Sequence, residues 1–239
     1  MIESLYRGEN IKTKYLALIS IVLVLFTIGA VSAADDLDDT ILADTASVDV
    51  SQYYVDSNVA TTGDGSQSSP FKTIGEAIDL TADNKTVEIY LAGGTYSGEN
   101  NTNFDISQNH QSAGGSISLI GSDSGVLIDL GDANKFIKLS QYGNLTVKNI
   151  KFTNFTSPTL TTYNDAIIWS DGWLNVDNCD FTGSITYSIY GTNDVYISNS
   201  RFYNNTGHTD VYARAYNGWT WYALNVVINN CNFTNDKVR

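Results

Sequence analysis

Leu145-Thr-Val147-Lys-Asn149-Ile150-Lys-Phe152-Thr-Asn154 holds two alternating apolar runs with an asparagine between them. Leu145 and Val147 share one parity; Ile150 and Phe152 share the other. Alternation is the period of a strand, and a one-residue slip turns every later side chain to the opposite face. The chain must therefore bend at Asn149 if both runs are to bury their apolar residues. Three more segments align without gaps: Leu174-Asn-Val176-Asp-Asn178-Cys179-Asp-Phe181-Thr-Gly183, Val195-Tyr-Ile197-Ser-Asn199-Ser200-Arg-Phe202-Tyr-Asn204 and Val226-Val-Ile228-Asn-Asn230-Cys231-Asn-Phe233-Thr-Asn235. Asn149, Asn178, Asn199 and Asn230 stand 29, 21 and 31 residues apart. Asn tolerates the left-handed backbone that such a bend needs, and its amide can bond to the Asn stacked above. We read these four as a structural ladder at one corner of a coil.

Repeats of this length are stacked units that bury a continuous core only together. Two strands joined at a bend, with variable loops elsewhere, predict a parallel β-helix. A leucine-rich solenoid would need a Leu and helix pattern that is missing, and an antiparallel sandwich would not need Asn at one phase break four times. Apolar stretches continue upstream at Val87-Ile89-Leu91, Ile117-Leu119-Ile120, Val126-Leu127-Ile128 and Phe136-Ile137-Leu139. Roughly six or seven coils, at about 4.8 Å each, make a rod roughly 30 Å long. The two prolines fit, since Pro cannot donate to a sheet ladder. Thr73-Ile-Gly-Glu76 has capping-box spacing, with Ile74, Ala77 and Ile78 on one helical face. A short helix there would cover the open edge of the first coil.

Tyr54-Val-Asp56, Gly63-Asp-Gly65-Ser, Ser69-Pro-Phe-Lys-Thr-Ile74, Ala77-Ile78 and Ile89-Tyr-Leu-Ala-Gly-Gly-Thr-Tyr96 together resemble the opening of pectin-lyase-like proteins. With the Asn-Cys-x-Phe repeats and the leader, the chain is most similar to the adhesin-like surface proteins of methanogenic archaea. The resemblance covers about residues 53 to 239. It implies a right-handed, single-stranded parallel β-helix and a place outside the cell. It implies no single activity, because the same coil serves polysaccharide lyases, glycosidases and non-catalytic surface proteins. In the longer adhesin-like pattern, immunoglobulin-like modules and a carboxy-terminal anchor follow the coil. Here Asp236-Lys-Val-Arg239 comes straight after a repeat strand, which leaves an uncapped last coil and a truncated domain as the two readings.

Residues 1–33 read as a signal peptide or signal anchor: Arg7, Lys12 and Lys14 precede an apolar run ending in Val31-Ser32-Ala33-Ala34. An acidic linker, 34–52, carries Asp35-Asp-Leu-Asp-Asp39 and Asp44, and the β-helix domain spans 53–239. The leader takes three of the 13 basic and two of the 26 acidic residues; the remaining ten against twenty-four give a net charge of −14. That charge repels nucleic acid and anionic membranes. Nucleic acid is therefore no partner, and contact with a membrane is expected only through an uncleaved leader. The remaining chain is expected to be extracellular, secreted or at the cell surface. Sequons at Asn84, Asn100, Asn144, Asn154, Asn204 and Asn232 are permitted there, although Asn-rich turns also generate them by chance.

Five residues before each repeat's first apolar position stand Ser140, Trp169, Tyr190 and Trp221. With Leu139, Ile168 and Ile189 inward, Trp169, Tyr190 and Trp221 should be exposed and stacked along one side. Trp173 should also face out, and Trp219 and Tyr222 lie near in sequence. Exposed rings suit the flat faces of sugars or a partner protein. The carbohydrate-binding residues are thus Trp169, Trp173, Tyr190, Trp219, Trp221 and Tyr222, with a cell-surface glycan or another cell-surface protein as partner. The opposing reading is a structural stack covered by a loop such as 207–220.

A non-catalytic adhesin-like binder is the favoured function. A Ca²⁺-dependent, pectate-lyase-like polysaccharide lyase is the first alternative, and a structural envelope component the second. A lyase needs a Lys or Arg base and carboxylates holding Ca²⁺. Lys138, Arg201, Arg214, Asp165, Asp171 and Asp194 are nearby in repeat terms but form no motif. A glycosidase pair would be Asp177 with Asp180, at positions held by Lys148 and Lys151 one coil earlier, as on a solvated face. His110 and His208 show no ligand spacing. No cofactor or metal site is expected; Gly63-Asp64-Gly65 reads as a turn, with Ca²⁺ beside Asp56 as its alternative. Cys179 and Cys231 occupy the position of Ile150 and Ser200, two coils apart. At roughly 9.6 Å they exceed the roughly 7 Å reach of a disulfide, so both are expected to be free inward thiols.

Overall fold

Each repeat folds as two strands that meet at its asparagine, and a third strand closes the coil. The fold comes from a computed structural model in which residues 50–81, 86–106, 115–139, 143–156, 165–207, 209–215, 223–234 and 236–237 are described. The leader, Ser140, His110, His208, Trp219, Trp221 and Tyr222 lie outside these. In chain order the elements are β1 (Val50–Val55), α1 (Ile74–Ile78), β2 (Thr86–Leu91), β3 (Gly94–Ser97), β4 (Phe104–Ile106), β5 (Ser116–Gly121) and β6 (Val126–Asp129). Then come β7 (Ile137–Leu139), β8 (Asn144–Lys148), β9 (Ile150–Thr153), β10 (Ala166–Ser170), β11 (Trp173–Asp177) and β12 (Asp180–Thr182). The series ends with β13 (Tyr187–Gly191), β14 (Val195–Ser198), β15 (Arg201–Tyr203), β16 (Thr209–Ala213), β17 (Val226–Asn229) and β18 (Asn232–Thr234).

From β2 onward each strand pairs in parallel with the third strand after it, one coil on, and β1 pairs with β2. The result is a seven-stranded sheet, β1-β2-β5-β8-β11-β14-β17; a six-stranded sheet, β3-β6-β9-β12-β15-β18; and a five-stranded sheet, β4-β7-β10-β13-β16. This is the expected right-handed parallel β-helix, and six strand spacings along the longest sheet give about 29 Å. β1 starts at Val50, so the last three residues assigned to the linker belong to the first strand.

Asn149, Asn178, Asn199 and Asn230 all have positive φ, 58°, 51°, 52° and 51°. Each is a corner between the seven- and six-stranded sheets, and successive corners are in register. The ladder is not uniform. Asn178 donates to Asn149 Oδ1 at 3.0 Å and Asn230 to Asn199 Oδ1 at 2.8 Å, whereas Asn199 donates to Asp177 Oδ1 at 2.7 Å. A second left-handed corner follows the six-stranded sheet at Asn154, Gly183 and Asn204. It accounts for two of the sequons: Asn154 and Asn204 are corner residues, and Asn154 already donates to Asp129 Oδ1 at 3.0 Å.

Inside the coil, Phe152, Phe181, Phe202 and Phe233 stack at centroid spacings of 5.0, 4.8 and 4.8 Å. Leu145, Leu174 and Val195 from one strand type, and Ile137, Ile168 and Ile189 from another, are buried beside them. The column Ile150, Cys179, Ser200, Cys231 runs at the first corner, and both cysteines are free thiols, as expected. Among the described residues nothing covers Val226, Ile228 and Phe233 on their outer side, and each is close to half exposed.

At the other end, Ile74, Ala77 and Ile78 of α1 are buried against the first coil. Glu76 accepts the Thr73 backbone N–H at 2.9 Å, and Asn101 Oδ1 accepts that of Ile74 at 3.0 Å. The edge of β1 is shielded less by the helix than by the preceding loop: Tyr54 N–H donates to Gly65, Phe71 N–H to Tyr54, and Asp56 N–H to Phe71. Gly65, at φ +83°, leaves room for the Phe71 ring, which a Cβ would meet at 2.2 Å. Asp64 and Asp56 accept the Ser66 and Asn58 backbone N–H groups, as turn residues do.

Candidate functional site

The seven-stranded sheet begins each coil after a turn from the five-stranded sheet, and Trp169 and Trp173 flank this turn. Trp169 stands on the outer face of β10, Trp173 on that of β11, with Ser170-Asp171-Gly172 between them. The turn is tightly stacked, since a Cβ on Gly172 would lie 1.7 Å from the Gly143 carbonyl. Asp171 organises it: Oδ1 accepts the Trp169 indole N–H at 2.8 Å and the Thr192 hydroxyl of the next coil at 2.9 Å.

Trp173 keeps 38% of its surface exposed. Its ring lies 5.3 Å from Tyr196 at a tilt of 48°. The register sets it directly over Asn144, and Thr146 and Asn175 lie in the outward row that holds Tyr196. Asp194, at the same turn one coil on, accepts both the backbone and side-chain amides of Asn225 at 2.8 and 2.9 Å. Those bonds hold its carboxyl below the usual range. An open indole thus sits among amides, hydroxyls and an ionised carboxylate, groups that bond a sugar's hydroxyls while the ring meets its C–H face.

Trp169 stacks on Tyr190 at 4.2 Å and Tyr190 on Tyr212 at 5.1 Å, with the Lys138 ammonium 5.1 Å from the Trp169 ring on the other side. Two expectations need correcting. Tyr190 is not exposed: it retains 2% of its surface, in an outer cluster with Ala166 and Tyr187. The ring paired with Tyr190 in the next coil is Tyr212, not Trp221, and the ring below Trp169 is replaced by Lys138 rather than Ser140. The offset from the following repeat misleads because the loop between β16 and β17 is far longer than that between β13 and β14. The expected roles of Trp219, Trp221 and Tyr222 lie outside the described residues.

The residues considered for catalysis do not converge. Lys138 is on the five-stranded sheet and Arg201 on the six-stranded one, while Asp165 is buried before β10. Asp177 and Asp180 lie on either side of the Asn178 corner, each engaged: Asp177 by Asn199, Ser198 and Lys148, Asp180 by the Arg201 guanidinium at 2.7 Å. A shallow groove of ~680 Å³ runs along this corner, lined by Asn149, Asn178, Asn199, Lys151, Asp180 and Arg201 among others. Among the described residues no three His, Cys, Asp or Glu side chains gather as metal ligands.

Fold and site together define a right-handed parallel β-helix protein with a ring-bearing corner. Residues 58–231 match the family described as "Protein of unknown function (DUF1565)", and the chain belongs to that family. No curated protein and no solved structure matches the chain.

Proposed function

We propose that the protein is a non-catalytic, adhesin-like binder, secreted or held at the cell surface, that takes carbohydrate at the corner around Trp173. The observation that carries this reading is the exposed Trp173 indole on a rigid parallel sheet, ringed by Asn144, Asn175, Asp194 and Tyr196. A large ring left open beside polar side chains costs solvation, and a sugar face offsets it. Trp169, four residues before Trp173 and anchored by Asp171, extends the surface around the turn. A glycan array probed with the purified protein and with Trp173→Ala tests the proposal. Binding to a defined glycan class that the variant loses supports it. An empty array, or binding that the variant retains, overturns it.

The burial of Tyr190 favours a second reading for the neighbouring stack, a structural one. Tyr187, Tyr190 and Tyr212 pack together on the outer sheet face, and their removal would then lower stability without touching binding.

A further inference from the structure

Two columns of inward side chains flank the passage from the second corner into the five-stranded sheet, and both change character in the same coils. The first runs Phe155, Ser184, Asn205, Asp236. Backbone bonds from Ile185 to Phe155, Thr206 to Ser184 and Lys237 to Asn205 fix its register. The second runs Phe136, Ile167, Ser188, Asp210, in step with the pairing of β7, β10, β13 and β16. Lower down, Phe155, Phe136 and Ile167 fill the interior with no exposed surface. Above them the same positions carry hydroxyls, then an amide and two carboxylates.

Asn205, 1% exposed, holds the carboxylates together: its backbone N–H donates to Asp236 Oδ1 and its side chain to Asp210 Oδ1, both at 2.8 Å. Asp236 lies close enough to Asp210 for its charge to act on it. Asp236 Oδ2 is buried without a hydrogen bond. The wholly buried Ser188 hydroxyl stands beside Asp210 and completes no hydrogen bond, and the buried Ser184 hydroxyl in the neighbouring column has none either. Asp210 is buried and Asp236 half-buried, and two carboxylates brought together with little water around them are costly unless something positive joins them. Free oxygens from carboxylates and hydroxyls are the donors a hard divalent cation selects.

We infer that the last coils hold an internal divalent cation, Ca²⁺ by the chemistry of its donors, between Asp210 and Asp236, with Ser188 beside it. The ion ties β16 to the segment after β18 and so locks the final coils. It lies inside the coil, apart from the outer ring corner, and does not depend on the carbohydrate reading.

The test uses the full chain stripped with chelator, then titrated with Ca²⁺ by calorimetry and followed by thermal unfolding. One Ca²⁺ per chain is expected, with a rise of several degrees in the unfolding midpoint. Asp210→Asn and Asp236→Asn keep the oxygens that Asn205 bonds and should each weaken binding at least tenfold and remove the rise. Ser188→Ala, which leaves both carboxylates, covers the case in which either variant fails to fold and should weaken binding by a smaller factor. The exposed Asp123→Asn should change nothing. A wild-type midpoint indifferent to Ca²⁺, or uptake undiminished in the three pocket variants, overturns the site.

Discussion

Asn199 gives its side-chain amide to Asp177 Oδ1 at 2.7 Å instead of to Asn178 one coil below. An ionised carboxylate is a stronger acceptor than an amide oxygen, so the ladder steps aside at the one corner where Asp precedes Asn in the lower coil. Asp177 also accepts the Ser198 hydroxyl at 2.8 Å and lies 3.4 Å from the Lys148 ammonium.

These contacts set an acid dependence. Burial alone would raise the Asp177 pKa, but hydrogen bonds from Asn199 and Ser198, and then Lys148, hold it below the ordinary 3.8. A carboxyl whose folded pKa is depressed adds stability above its unfolded value, and that stability is lost as pH falls through the folded one. The unfolding midpoint should therefore drop on acidification below about pH 4. In Asp177→Asn the drop should be shallower. Equal slopes for variant and wild type would contradict this.

Left-handed backbone at the corners makes Asn178 replaceable by Gly but not by Ala. A Cβ-bearing residue without a local polar side chain costs about 1–2 kcal/mol in this region, and Ala also gives up the bond to Asn149. Urea unfolding should place Asn178→Ala clearly below wild type and Asn178→Gly between them. An alanine variant as stable as wild type would show that the corner conformation is not under strain.

The phenylalanine column predicts a gradient along the rod. Phe181→Ala opens a cavity between two stacked rings and should cost about 3–5 kcal/mol. Phe233, 46% exposed and stacked on one ring among the described residues, should cost well under that. Chemical denaturation of the two variants measures the difference.

Burial pushes the Cys179 thiol up to about 12, so at pH 8 almost none of it is the reactive thiolate. Native protein should label at half-buried Cys231 well before Cys179, as peptide mapping after alkylation would show. Unfolded, unreduced protein should titrate two thiols; fewer would mean that the sulfurs had paired.

The corners were legible because parity is a property of the chain alone: Val147 and Ile150 cannot both face inward without a bend at Asn149. The second corner was equally visible in Asn154, Gly183 and Asn204, which close the same aligned segments, yet no parity break marks it. Tyr190 was misjudged because one outward face was assumed to be wet. The uninterrupted run Ala166-Ile167-Ile168-Trp169 signals a strand buried on both sides, and Tyr187 and Tyr190 share that outer cluster. Tyr212 and Asp210 could not be aligned at all. Their column partners precede loops of unequal length, and only backbone pairing reveals that Tyr212 stands over Tyr190 and Asp210 over Ser188.

The central claim, that the Trp173 corner takes carbohydrate, is tested most directly by calorimetric titration of the leading array glycan into wild type, Trp173→Phe and Trp173→Ala. The prediction is saturable binding that Phe largely preserves and Ala weakens by at least about tenfold, roughly 1.4 kcal/mol, with unchanged unfolding midpoints. Equal affinity for Ala and wild type, or no heat of binding at all, would contradict it.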